Sequence, residues 1–394
     1  MTALDRAHNI EDLRRLAKRR LPQAMFDYID GGAEDEGTMR GNRDAFCEVS
    51  LIPRQLVDVS KVDPKTTAFG CDIDLPFMIA PTGMSAMFHP DAERGVARAA
   101  GRSGTLYSLS TMGSTSIEDV AASSSGSKAF QIYAFRDRAL TSEFIERARS
   151  ARYDALILTV DVPVAGNRER DLRNGMTLPP ALGLMGILDI ARHWRWSLDY
   201  VRAPRMTLAN VAHRIAEANA DISTLSGYIA NQFSSSMTWD DARSIAEEWG
   251  GPLAIKGVLH PDDARRAVDA GASAVVVSNH GGRQLDGAIA SMDALPGIVD
   301  AIGDRCEVFL DGGIRRGSDI VKAIALGAKA CFVGRPYLYG LGAAGEAGVE
   351  EALTILASET RRVMALMGAT ALGDLDRTCL SHRTLAASSH QRGE

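Results

Sequence analysis

Two hydrophobic patterns alternate along the chain. Short continuous apolar runs occur at PFMIAP (76–81), TLYSLS (105–110), KAFQIY (128–133), ALILTVD (155–161), PLAIKG (252–257), AVVVSN (274–279), EVFLDGG (307–313) and ACFVGR (330–335). Runs of this length without polar alternation predict strands buried on both faces. Most are separated by segments with the helical spacing of apolar residues: DAERGVARAAGRSG, IEDVAASS, TSEFIERARSARY, TWDDARSIAEEWG, DDARRAVDAGAS and SDIVKAIALGAK. Two of these helices end in Gly-Ala steps into a strand, AGASAVVV and LGAKACFV, with glycine where a helix C-cap is expected.

Strands alternating with helices predict a parallel α/β protein, and eight of them favour a single closed (β/α)8 TIM barrel. The rhythm breaks once, between the fourth run ending at Asp161 and the fifth starting at Pro252. Residues of about 167–238 therefore read as an insertion after strand 4. Residues 1–75 read as an N-terminal helical cap, and the stretch from Pro336 to Gly368 as a closing helical tail. A bare barrel needs roughly 250 residues, so the 394 residues are read as one barrel domain with these additions.

Composition narrows the function. The formal charge of -6 argues against nucleic acid, which demands a basic face. The five cysteines are scattered without a CxxC pair, so neither a disulfide framework nor a zinc ribbon is expected, and no metal site is assigned. Free thiols suit a reducing cytoplasm. The charged N-terminus lacks the apolar core of a signal peptide. No uncharged apolar run is long enough to span a bilayer, the nearest being TLPPALGLMGIL (177–188).

Barrel enzymes carry their chemistry where strands end. Strand six ends in Ser278-Asn279-His280-Gly281-Gly282-Arg283, which sets a base and a cation beside open backbone. Histidine titrates near neutrality and suits proton abstraction, and arginine suits a carboxylate. Strand seven ends Asp311-Gly312-Gly313-Ile314-Arg315, and strand eight ends Gly334-Arg335. Loops at these two positions commonly hold phosphate through backbone amides and cations. Tyr133, Asp161, Arg168 and Lys256 crowd the same mouth, and Asp161 is placed to orient a protonated His280. Two motifs are discounted. GLGAAG (340–345) follows no strand, as a dinucleotide site requires, and SGSK (125–128) lacks its partner motifs.

SNHGGRQLD (278–286), DGGIRRGSDI (311–320), YIDGGAEDE (28–36), APTG (80–83) and TVDVPVAGNRERD (159–171) resemble, in order, the FMN-dependent L-2-hydroxy acid dehydrogenases and oxidases. YIDGGAEDE and WSLDYVR are most similar to the (S)-mandelate and flavin L-lactate dehydrogenase branch. The resemblance implies oxidation of an L-2-hydroxy acid, mandelate-like or lactate-like, through FMN. It implies His280 as base, Arg283 and Arg168 on the substrate carboxylate, Tyr28 and Tyr133 on the substrate, and Asp161 paired with His280. Lys256 would sit at the flavin N1–O2 edge. Pro81, Thr82, Gly83, Ser110, Gln131, Thr159 and Ser278 would contact the cofactor, while Asp311, Gly313, Arg315, Gly334 and Arg335 would hold its ribityl chain and phosphate. Met112 and Gly83 would border the substrate side chain.

Gly83 resembles the dehydrogenase branch, which implies a quinone or other carrier as electron acceptor, with oxygen as the alternative. The segment 177–196 resembles a membrane-attaching loop, flanked by Arg192, Trp194, Arg195 and Trp196. It implies peripheral attachment to the inner face of the cytoplasmic membrane. A homotetramer is implied by resemblance alone. The phosphate loops by themselves would also fit a non-redox barrel lyase or isomerase acting on a phosphorylated substrate. HGGR with Arg168, Tyr133 and Tyr28 argues against it.

Overall fold

The computed structural model describes residues 3–133, 135–176, 183–203, 206–212 and 234–382. Eight parallel strands close into a barrel: β1 (Phe77–Ile79), β2 (Tyr107–Ser110), β3 (Lys128–Tyr133), β4 (Ala155–Thr159), β5 (Leu253–Val258), β6 (Ala274–Val277), β7 (Glu307–Asp311) and β8 (Ala330–Val333). β8 pairs with β1 through Phe332 and Met78, which completes the ring. The (β/α)8 expectation is met, with every strand lying inside or within one residue of its apolar run. The strands stop before the polar ends of those runs, so Asp161, Asn279, Gly313 and Arg335 lie just past them.

Two apolar layers follow from strand alternation. Inward-facing Met78, Ala129, Ala155, Ile157, Ala254, Ala274, Val276, Phe309, Ala330 and Phe332 fill the barrel. Mixing alanine with phenylalanine lets the residues of successive strands interdigitate within a narrow ring. The hairpin of Thr66–Ala68 and Cys71–Ile73 closes one end, with the Phe69 ring 5.1 Å from that of Phe309. The outward-facing side chains pack against the helices.

One barrel helix, Ser291–Ile302, was not among the predicted patterns. Pro296 and Gly297 interrupt its helical signal, and burial of Leu295, Ile298 and Ile302 overrides them. The GLGAAG stretch lies in the helix Arg335–Met367, which breaks at Ala344 and Gly345. Gly340 there packs so closely on Gly348 that a Cβ would meet its carbonyl at 2.1 Å.

Before the barrel come helices α1 (Ile10–Arg20), α2 (Gln23–Asp30) and α3 (Gly37–Glu48). Asn9 caps α1 by accepting from Asp12 N at 3.0 Å. Arg14 clamps α1 to α2 through Asp30 at 2.6 and 2.8 Å. Burial is the leading influence on the Asp30 carboxyl and pushes its pKa up. The Arg14 and Tyr339 hydrogen bonds outweigh it and hold the group down at about 2. Of the insertion, the helices Glu169–Arg173, Leu184–Arg192 and Trp194–Arg202 are described. Residues 177–182 of the membrane-segment expectation lie outside the described residues.

Candidate active site

A cavity of about 860 Å³ opens at the strand ends. Among the expected site residues, its wall contains Tyr28, Pro81, Thr82, Gly83, Met112, Tyr133, Arg168, Lys256, His280, Arg283, Asp311, Gly313, Arg315, Gly334 and Arg335. Ser110, Gln131, Thr159, Asp161 and Ser278 lie behind the wall instead. Ser110 Oγ donates to Gln131 Oε1 at 2.9 Å, and Thr159 is buried at the end of β4.

His280 stands in a left-handed turn. Its φ is +59°, followed by +65° and +74° at Gly281 and Gly282. A non-glycine residue takes this conformation uncommonly, although histidine does so more readily than most. Here the turn aims His280 Nδ1 at Asp161 Oδ1, 2.9 Å away, leaving Nε2 as the other ring nitrogen of a cavity-lining residue. Burial pushes the imidazole pKa down, against the pull of Asp161, and the net shift is downward. Burial pushes Asp161 up, but His280 and Lys256 outweigh it and the carboxyl titrates below its ordinary range. A neutral imidazole beside an ionised carboxylate is therefore the state at neutral pH.

Facing this pair are two guanidinium groups. Arg283 is half-buried, donates to the carbonyls of Tyr28 at 2.7 Å and Gly31 at 3.0 Å, and lies over the Tyr28 ring. Burial and the neighbouring charge of Arg168 push it down to about 9. Two adjacent cations in a concave site hold positive charge that an anion would relieve.

At the barrel's centre Lys256 Nζ meets Asp311 Oδ2 at 2.9 Å and donates to Ser278 Oγ at 3.0 Å. Ser278 Oγ donates to Asp311 Oδ2 at 2.7 Å. Burial opposes the charge on Lys256, but Asp311 and Asp161 outweigh it and raise its pKa. Lys256 is thus a fixed cation. Gln131 Nε2 is a buried amide donor with no partner among the described residues. Such an orphan fits an acceptor group from a cofactor, and burying it unpaired is costly. Arg335, expected on the phosphate, commits donors to Ile29 O (3.1 Å), Gly281 O (2.9 Å) and Gly31 O (2.7 Å), and so also fastens the cap to the barrel.

Several wall residues have no counterpart in the sequence reading, among them the apolar Met176, Met206 and Leu208. These three lie in the insertion, where no strand rhythm flags them. Ala209 N donates to Gly113 O at 3.2 Å, and buried Asn210 accepts from Ile117 N at 2.9 Å, so the segment docks beside Met112. Gln284, directly after HGGR, donates to the carbonyls of Asp161 and Val164 and fixes the strand-four loop.

Comparison with known proteins agrees with this geometry. The family profile described as FMN-dependent dehydrogenase matches residues 17–382. L-lactate oxidase of Nostoc sp. is 44% identical over 386 residues, covering 96% of this chain and 100% of that protein. L-lactate dehydrogenase of Caulobacter vibrioides is 43% identical over 373 residues, covering 94% and 97%. Among solved structures, the monotopic membrane protein (S)-mandelate dehydrogenase superposes with a TM-score of 0.91 at 39% identity, covering 96% of this chain and 100% of that one. A mandelate oxidase gives 0.82 at 39% identity, covering 95% and 98%. With this cavity and these relatives, the chain belongs to the FMN-dependent dehydrogenase family, the flavoenzymes that oxidise 2-hydroxy acids.

Proposed function

We propose that this enzyme oxidises an L-2-hydroxy acid with a bulky apolar side chain to the 2-keto acid and passes the electrons to a quinone-type carrier at a membrane surface. The observation that carries the chemistry is a neutral His280, backed by Asp161, across one cavity from the Arg168–Arg283 cation pair. FMN, when bound, supplies the two-electron acceptor that no side chain provides. Lys256 and the Gln131 amide would meet its ring system, and the Gly313–Arg315 and Gly334–Arg335 loops its phosphate. Arg168 and Arg283 hold the carboxylate of the substrate, which fixes C2 and its hydroxyl. His280 Nε2 then accepts the hydroxyl proton, and Asp161 stabilises the resulting imidazolium. Tyr28 and Tyr133 close the polar side of the site.

The substrate's side chain would meet Met112, Met176, Met206 and Leu208. This wall is apolar and, through its methionines, adaptable in shape. A phenyl or branched alkyl group fills it better than a methyl, and each buried CH₂ is worth about 0.8 kcal/mol. Anaerobic bleaching of the yellow protein tests the reading. L-mandelate is expected to exceed L-lactate by about tenfold or more in kcat/KM, and a preference for lactate would sink the side-chain assignment.

Membrane attachment rests on the two insertion helices. Trp196 Nε1 donates to Met87 O at 2.9 Å, Asp199 pairs with Arg20 at 2.5 Å, and Asp189 accepts from Gln23 N at 2.6 Å. These contacts fix the inner faces to the body. Leu184 and Met185 are each 73% exposed, Trp194 61% and Val201 79%. An apolar face beside Arg192, Arg195 and Arg202 suits an anionic bilayer surface. Among the described residues no helix is long and apolar enough to cross a membrane. The pair Leu184→Glu and Ile187→Glu is expected to cut binding to anionic phospholipid vesicles at least about tenfold while leaving turnover intact. Unchanged sedimentation with vesicles would defeat the assignment.

Oxygen is the second reading for the acceptor, favoured by the likeness to L-lactate oxidase. A Cβ at Gly83 would lie 2.7 Å from Met112 Cβ, so this space is closed by Met112. Turnover with a soluble quinone analogue is expected to outpace peroxide formation by at least about tenfold, and stoichiometric peroxide at full rate would reverse the assignment.

A further inference from the structure

The turn that carries His280 is braced from a helix more than two hundred residues earlier in sequence. Asn42 in α3 and Asn279 are both buried, at 2% and 5% exposure. Their amides form a reciprocal pair. Asn42 Nδ2 donates to Asn279 Oδ1 at 2.8 Å, and Asn279 Nδ2 donates back to Asn42 Oδ1 at 2.8 Å. Most of the remaining capacity is spent on backbone. Asn279 Oδ1 accepts from Gly282 N at 3.1 Å, sharing that amide with the Asn279 carbonyl and reinforcing the left-handed turn, and Asn279 Nδ2 donates to Ile289 O at 3.0 Å. Asn42 Oδ1 also accepts from Ser291 N at 3.1 Å. On its other side, the Asn42 carbonyl rests against Gly313, where a Cβ would come within 2.1 Å of it.

We propose that Asn42 is a positioning residue for the base: its amide pair with Asn279 holds the turn in which His280 meets Asp161. This rests on His280 being the base. One backbone bond, Gly282 N to Asn279 O at 3.1 Å, spans this run of three left-handed residues, and such a conformation persists when neighbours over-determine it. Asn279 is the residue immediately before that run, and its side-chain oxygen captures the amide at the run's far end. Without Asn42, that oxygen and its amide nitrogen each lose a partner in a place water does not reach. The turn then has freedom to rotate, and His280 Nδ1 drifts from Asp161. The consequence falls on proton transfer, which is sensitive to geometry, rather than on carboxylate binding by Arg168 and Arg283.

The test uses the full-length holoenzyme with L-mandelate and L-lactate. Asn42→Ala is expected to retain FMN by its visible absorbance, change KM less than about threefold, and lower kcat about 10- to 100-fold. Adding Asn42→Ala to Asn279→Ala is expected to cost no more than about twofold further, because both act through one pair. Should Asn42→Ala not fold, Asn42→Asp serves. It keeps an acceptor for Ser291 N and Asn279 Nδ2 but sets an oxygen against Asn279 Oδ1, and the same fall in kcat is expected. Normal kcat in a folded variant, multiplicative losses in the double variant, or a loss that tracks released FMN would each overturn the proposal. His280→Ala, run in parallel, separates the two levels. If it turns over at near-normal rate, the assignment of the base has failed; if it is slowed at least about 100-fold while Asn42→Ala is normal, only the positioning role has failed.

Discussion

Replacing His280 with alanine is expected to give a protein that stays yellow, binds its substrate and barely bleaches. In the proposed mechanism His280 Nε2 is the base that takes the substrate's hydroxyl proton. Removing a positioned base from a proton transfer costs on the order of 10²–10⁴ in rate. The flavin should remain, because Lys256, the Gln131 amide and the Arg315 loop do not depend on the imidazole. The pH dependence of the unmutated enzyme provides a second check. Burial depresses the His280 pKa below its ordinary value near 6.5, so kcat/KM should hold through neutrality and fall only as pH drops below that value. Asp161→Asn should separate two consequences of one charge. Asp161 raises the His280 pKa, so its loss moves the acid limb to lower pH. It also stabilises the imidazolium, so its loss lowers kcat. Stopped-flow flavin reduction from pH 5 to 8 measures both. A His280→Ala protein that reduces its flavin at near-normal rate would remove the base from the mechanism.

The barrel was legible because each strand is buried on both faces and therefore reads as an unbroken apolar run. The helix Ser291–Ile302 was not, since Pro296 and Gly297 erase a periodicity that only tertiary burial restores. The ring of chemistry at the strand ends was legible for a related reason. Each strand fixes where its loop begins, so His280, Arg283, Asp311 and Arg335 could be placed around one mouth from their distance past an apolar run. What sequence could not supply was whatever arrives from elsewhere in the chain. Met206 and Leu208 reach the cavity because Asn210 docks on the loop after β2. Asn42 matters because its partner is Asn279, and neither residue type nor spacing marks that pairing. Arg335 also carries a structural load invisible in a Gly-Arg dipeptide, with three backbone carbonyls sharing its guanidinium.

Arg168→Met is expected to lose recognition of the carboxylate without loosening the fold, and this separates it from Arg283→Met. Arg283 fastens Tyr28 and Gly31 of the cap through two hydrogen bonds, so its removal should lower Tm as well as activity. The Arg168 guanidinium makes only a long 3.5 Å contact, from Nε to Arg283 O, among the hydrogen bonds of the described residues. Its donors are therefore largely uncommitted, while its charge acts at longer range on Asp171 and Tyr133. Truncating one side of a close, desolvated charge pair costs about 2–5 kcal/mol, or roughly 30- to 5,000-fold in kcat/KM. The sign of the charge provides the decisive comparison. Arg168→Met should prefer the neutral amide of a 2-hydroxy acid to the acid itself far more than the unmutated enzyme does, because an amide has no anion for Arg168 to hold. It should also ease the burden on Arg283, whose guanidinium is pushed down partly by Arg168, so that Tm is unchanged or slightly raised in the absence of substrate. Measuring kcat/KM for acid and amide alongside Tm resolves the question. Equal losses for both substrates would mean that Arg168 shapes the pocket and does not read the carboxylate.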